Sequence, residues 1–187
     1  MANWAYTSYA IEGPKETLEK IEQAILHHPV KENSSDGWEG NILIALNGTD
    51  DWKSTSYMRG FINEEPWYEE SHGALRFSAE EAWGVTDFDE ELMSIFPDIK
   101  VYWITEEPGM AIYQTNDKEG KYFKDRFYVD TCIDNDYRDE YFETEKDAYD
   151  WIAEITKGKV STKEEVDKFN EECGEDEFIL VHKFEIV

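Results

Sequence analysis

Over residues 3–12 the side chains alternate: Trp4, Tyr6, Ser8 and Ala10 fall on one side of an extended chain, and Ala5, Thr7, Tyr9 and Ile11 on the other. This period of two predicts a strand, and apolar groups on both sides predict at least partial cover on both faces. Gly13-Pro14 breaks the pattern, and proline suits the first position of a helix because its φ is already helical. Leu18, Ile21, Ile25 and Leu26 then recur at helical spacing and predict a helix over 14–28, with His27 and His28 in the last turn, where the helix dipole favours positive charge. The apolar run Ile42-Leu43-Ile44-Ala45-Leu46, stopped by Asn47-Gly48, predicts a short buried strand. Residues 49–72 carry no clear period; they mix Trp52, Tyr57, Phe61, Trp67 and Tyr68 with polar residues and Pro66. Leu75 and Phe77 mark a strand over 74–79. Asp87 with Glu90 reads as a capping box for a helix bearing Phe88, Leu92, Ile95 and Phe96, and a strand follows over 100–105.

The resulting order, strand-helix-strand-strand-helix-strand, is that of the split βαβ, ferredoxin-like arrangement: an α+β fold with an antiparallel sheet and two helices on one face. Met110–Thr115 and Tyr122–Cys132 predict two more strands that extend this sheet as a hairpin. Beyond them the character changes. Residues 134–140 read as a charged loop, Thr144 with Asp147 as a cap for a helix carrying Ala148, Trp151, Ile152 and Ile155, and Ser161 with Glu164 as a second capping box before Val166 and Phe169. A strand from Phe178 closes the chain. The expected organisation is a ferredoxin-like domain over 1–132 and a helical and strand appendage over 133–187 packed on it.

Charge narrows the function. The chain holds 44 Asp and Glu against 18 Lys and Arg, a formal balance of −26, yet aromatic residues make up 15% of it, far too many for a disordered acidic segment. Binding to nucleic acid or to an anionic membrane depends on lysine and arginine, so neither is an expected direct partner. The first residues lack a basic and apolar leader, and no apolar run approaches the length of a membrane span, so the expected location is cytoplasmic. Cys132 and Cys173 form no CxxC pair and read as free thiols in a reducing compartment. No phosphate-cradling glycine loop, HExxH, GxSxG or GxGxxG is present, so the sequence offers neither a cofactor site nor catalytic residues.

The acids are clustered. Residues 64–91 hold ten acids against one base, Arg76, and residues 130–150 hold nine against two. Within the first run Trp67 and Tyr68 stand between two glutamate pairs. Glu64, Glu65, Trp67, Tyr68, Glu69 and Glu70 are therefore the candidate interaction residues, since aromatics anchor and carboxylates steer a basic protein partner. The expected function is a non-enzymatic acidic interaction module. The alternative is a carboxylate-based metal-binding protein or hydrolase. Asp134, Asp136, Asp139 and Glu140 are hard oxygen ligands at loop spacing, although the glycine a calcium loop needs at its sixth position is replaced by Asp139.

Several short stretches carry a family resemblance. The opening Met1-Ala2-Asn3-Trp4 and helix start Gly13-Pro14-Lys15-Glu16 are followed by Leu75-Arg76-Phe77-Ser78-Ala79-Glu80-Glu81-Ala82-Trp83, then Ile95-Phe96-Pro97-Asp98, Val101-Tyr102-Trp103 and Glu106-Glu107-Pro108-Gly109-Met110. In order and spacing these resemble the YubB-like (Api92-like) ferredoxin-like family, over roughly residues 1–130. The resemblance implies a ferredoxin-like fold and an origin on phage, plasmid or other mobile elements. It implies no activity and supplies no catalytic residues. Where many members carry a Trp-Gly-Thr-Lys-Trp-like stretch before the third strand, this chain reads Ile62-Asn63-Glu64-Glu65-Pro66-Trp67-Tyr68-Glu69-Glu70 and has no counterpart for that lysine. Together with the charge, the resemblance raises a sharper expectation: an acidic protein that imitates nucleic-acid charge and occupies the basic groove of a nucleic-acid-binding protein.

Overall fold

The strand predicted over 3–12 forms as β1 (Trp4–Glu12) and lies at the centre of an antiparallel sheet. A computed structural model of the protein describes residues 3–28, 30, 35–48, 57–174 and 176–187. It divides the chain into two units, Met1–Asp117 with Val187, and Lys118–Ile186.

In the N-terminal unit, β1 pairs with β4 (Ala74–Ala82) on one side and β5 (Lys100–Glu107) on the other. The short strands β2 (Gly60–Phe61) and β3 (Trp67–Glu69) share the outer edge of β4, and β6 (Ile112–Thr115) extends the sheet beyond β5. The strand order is β6-β5-β1-β4-β2, with every neighbour antiparallel. Alternation sorts the side chains as expected. Ala5, Thr7, Tyr9 and Ile11 are buried, and Tyr9 and Ile11 join Leu75, Phe77, Val101 and Trp103 in one core with residues of α1 (Lys15–His27), α2 (Glu39–Asn47) and α3 (Phe88–Ile95). At its centre the ring of Tyr9 stacks on Phe77 at 4.9 Å, and Phe88 meets Phe77 edge-on at 6.2 Å. Each such burial contributes about 1.5–3 kcal/mol.

Two local expectations fail. Residues 42–46 are helical, not extended. A five-residue apolar run fits a buried turn of helix as well as a strand, and here α2 closes on Gly48, whose left-handed φ of 66° lets its N–H reach the Ile44 carbonyl at 3.0 Å. The capping box at 87–90 does not form either. Asp87 occupies the N-cap position of α3 without a side-chain cap bond, and Asp89 instead accepts from the Trp103 indole N–H at 2.9 Å. Of the region without a clear period, residues 49–56 lie outside the described residues; the remainder contains β2 and β3.

The C-terminal unit has its own core. β7 (Phe127–Ile133) runs between β8 (Asp136–Phe142) and β9 (Phe178–Lys183), and Val129, Ile179, Ala148, Ile152 and Val166 pack it against α4 (Glu145–Ile155) and α5 (Lys163–Glu172). The strand predicted over 122–132 is therefore the centre of a second sheet, not an extension of the first, and the chain divides after Asp117 instead of after residue 132. Nor is 134–140 a loop. Asp134 and Asn135, with φ of 53° and 61°, make a two-residue hairpin turn, and Asp136 onward is strand. Thr144 caps α4 through the Asp147 N–H as expected. The second box is shifted by one residue: Thr162 accepts from the Glu165 N–H at 3.3 Å, and the Glu165 carboxylate accepts from the Ser161 N–H at 2.7 Å.

At Ile179 the outer edge of β9 is met by one side chain. Asn170 of α5 donates to the Ile179 carbonyl at 2.8 Å and accepts from the Ile179 N–H at 2.9 Å, as a neighbouring strand would. Asn170→Ala leaves both backbone groups without these partners, an expected loss of about 1–2 kcal/mol. Amide exchange at Val129 and Ile152 should then accelerate about 5- to 30-fold, measured by NMR, with β1 amides unchanged.

Candidate functional site

The face of the N-terminal sheet turned away from the helices carries the even-numbered positions of β1. Strand register places their neighbours. Phe61 of β2 lies opposite Glu80 of β4, Glu80 opposite Tyr6 of β1, Tyr6 opposite Glu106 of β5, and Glu106 opposite Tyr113 of β6. Rings and carboxylates thus alternate in one row across five strands, each directly beside the next, with Tyr113 at the β6 end buried. Tyr6 is 58% exposed and Trp4, whose ring lies 6.0 Å from Phe61, 41% exposed. Beside the Tyr6, Glu80 and Phe61 stretch of this row, Ser8 and Ser78 pair on the same face. The short side chains leave a cavity of about 240 Å³ with Glu64 and Glu80 in its wall.

The predicted interaction residues divide around this face. Glu64 and Glu65 are exposed in the connection between β2 and β3. Trp67, 49% exposed, lies opposite Arg76 and so belongs to the open face. Tyr68, 42% exposed, lies opposite Leu75 and projects to the other side of the strand, so the two rings do not form one surface. Glu69 is engaged locally: His72 lies 2.7 Å away and lowers its carboxyl below the usual range, Ser71 donates to it, and Arg76 is 3.7 Å away. Glu70 is exposed in the following turn. Sequence reasoning missed Tyr6, Phe61, Glu80 and Glu106 as partners. The β1 alternation had already set Tyr6 apart, but only cross-strand register brings the other three beside it.

The same alternation splits the acidic run. Glu80 lies on the open face, whereas Glu81 points into the core and is 0% exposed. It meets Glu39, carried inward by α2 and also 0% exposed. Tyr9 donates its hydroxyl to Oε1 of Glu81 at 2.8 Å, and the Thr86 backbone N–H donates to the same oxygen at 3.0 Å. The Thr86 hydroxyl lies 2.9 Å from this oxygen and 2.9 Å from Oε2 of Glu39. That hydroxyl has one hydrogen and cannot serve two carboxylates. A consistent network has Glu39 protonated, donating to Thr86 Oγ1, which donates to Glu81. Burial, then the charge of Glu81, push the Glu39 carboxyl well above its usual range, as this network requires. The same burial, with Glu81 and Glu39 nearby, raises the Tyr9 hydroxyl. This pair is sealed in the core and out of reach of any substrate.

Among the described residues no group of three or more His, Cys, Asp or Glu side chains is arranged to hold a metal ion. Of the proposed calcium-type ligands, Asp134 lies in the hairpin turn and Asp136, Asp139 and Glu140 on β8, where Asp136 and Asp139 project to opposite faces and Asp136 accepts from Arg138 at 2.6 Å. Cys132 and Cys173 are free thiols, the first buried. No helix among the described residues is long and apolar enough to cross a membrane. Comparison with family models, curated proteins and solved structures finds no match to this chain.

Proposed function

We propose that this protein is an interaction module that docks a lysine- and arginine-rich protein partner on the open face of its N-terminal sheet, within a ferredoxin-like arrangement. The order β5-β1-β4-β2, all antiparallel and backed by helices on one face, supports that arrangement. The observation that carries the docking reading is the row Phe61, Glu80, Tyr6, Glu106. A ring attracts a cation through its negative face and a carboxylate through its charge, so alternating them makes a surface selective for basic side chains over anionic or neutral ones. The chain uses this chemistry internally, with the Arg59 guanidinium 5.7 Å from the centre of the Trp83 ring. Imitation of nucleic acid would call for a continuous carboxylate track. Glu80 and Glu81 point to opposite sides of β4, which favours the docking reading over mimicry.

The test separates this face from general acidity. Binding of an octalysine peptide is measured by calorimetry at low and moderate salt for two variants of equal net charge: Glu64→Gln/Glu65→Gln/Glu80→Gln on the open-face side, and Glu164→Gln/Glu171→Gln/Glu172→Gln on α5. The first is expected to weaken binding about tenfold and the second less than twofold. Equal losses in the two would remove the proposal.

A further inference from the structure

The geometry points to a defined subsite on this face: we infer that the cavity lined by Tyr6, Phe61 and Glu80 takes the side chain of a single lysine or arginine. The inference rests on the docking reading and adds to it a location and a ligand class. Three features coincide there. Ser8 and Ser78 are opposite each other in register, so the floor is set by two of the shortest polar side chains, and the space above them is about 240 Å³. Tyr6 and Phe61 flank Glu80 in the same cross-strand row, which sets a carboxylate between two rings. Glu64 closes the cavity from the connection that follows β2.

Each feature selects. The rings accept an aliphatic stem along their faces, and a neutral stem gains that contact as well. The carboxylates and the ring faces add attraction for a positive head. An anionic group would face Glu64 and Glu80 with no cation among the lining residues to offset them. The expected ligand is a flexible alkyl chain ending in an ammonium or guanidinium, the chemistry of Lys and Arg.

The experiment titrates isotope-labelled full-length protein with n-butylammonium and n-propylguanidinium, which stand for the two side chains, and with 1-butanol as the neutral control, following backbone amide shifts. At least one cation should give saturable shifts at Tyr6, Phe61 and Ser78, and the alcohol should bind at least threefold more weakly. Phe61→Leu, which keeps an apolar wall without a ring, and Glu80→Gln should each weaken the cation about three- to fivefold. Equal response to cation and alcohol, or non-saturating shifts spread over every acidic segment, would overturn the subsite. If octalysine still discriminates the two triple-glutamine variants while neither small cation saturates, the subsite fails and the docking surface stands. If a small cation saturates while octalysine does not discriminate, the docking proposal fails instead.

Discussion

Glu39→Gln stabilises the N-terminal unit at pH 8 and leaves it nearly unchanged at pH 4. The reason is proton linkage. In the folded protein the Glu39 carboxyl is held well above its usual range by burial and by Glu81, while in the unfolded chain it titrates as an ordinary glutamic acid. The folded state therefore binds more protons over the interval between the two values, and stability falls as pH rises through that interval. A folded pKa above the unfolded one is a cost for an acid, absent below the unfolded pKa and fully developed above the folded one. Glutamine has nearly the shape of protonated glutamic acid and can donate to Thr86 Oγ1 at any pH, so the network of Tyr9, Thr86 and Glu81 persists without the penalty. The expected gain at pH 8 is about 1–3 kcal/mol, the scale of a buried polar group left badly satisfied. Asp89, also raised by burial, contributes a background pH dependence shared by wild type and variant, and the Tyr9 hydroxyl, raised above its ordinary value, keeps its proton in both states between pH 4 and pH 8, so the difference between the two isolates Glu39. Denaturant titrations at the two pH values measure it. A loss of stability at pH 8, or the same gain at both, would show that Glu39 is ionised in the folded protein. Glu81→Gln is the complementary variant. It replaces the carboxyl group on which Tyr9 and Thr86 converge, and it should destabilise at both pH values.

That network illustrates what one chain of residues can reveal. Strands with a period of two were legible because alternation is written directly into them: β1, β4 and β5 form close to the predicted positions, and the side chains of β1 divide between its two sides as the alternation has them. Helix α1 was legible for the same reason with a period of 3.6, and α4 through its threonine cap. What escaped depends on partners distant in sequence. The apolar run at 42–46 suits a strand as well as a helix, and its packing with α1 and α3, with Ile42 and Leu43 buried, makes it helical. The strand at β7 has the composition of any central strand, and nothing local says which of two sheets it will join. At the candidate site, the acid-and-aromatic segment 64–70 drew attention through composition, but strand alternation assigns Trp67 and Tyr68 to opposite sides. The row that includes Tyr6, Glu80 and Phe61 draws on three strands, and register, which fixes it, is a property of the folded sheet.

Gly60→Ala is expected to destabilise the N-terminal unit by about 3 kcal/mol and to abolish saturable binding of the small cation, n-butylammonium or n-propylguanidinium, at the cavity lined by Tyr6 and Phe61. A methyl group on Gly60 would overlap the carboxyl group of Glu39 well inside van der Waals contact. An exposed glutamate would swing away, but this one is 0% exposed and held by Thr86, so the strain must displace either the buried carboxyl or β2 itself. The stability cost is the upper end of what overpacking by one methyl group brings. Displacement of β2 also moves Phe61, the next residue, out of register with Glu80. The conformation of Gly60 is not the issue, since its φ lies outside the left-handed region; only the space is. A double-mutant cycle settles the cause. On its own Glu39→Ala destabilises by removing packed atoms and a partner of Thr86, but it opens room for the new methyl group. Against that background the cost of Gly60→Ala should fall below about 1 kcal/mol, a coupling of roughly 2 kcal/mol between residues in contact. Binding of the small cation should return in the double variant as β2 regains its register. Additive stabilities would mean that Gly60 is constrained by something other than Glu39. Restored stability without restored binding would mean that the buried acid does not position the ring at the surface.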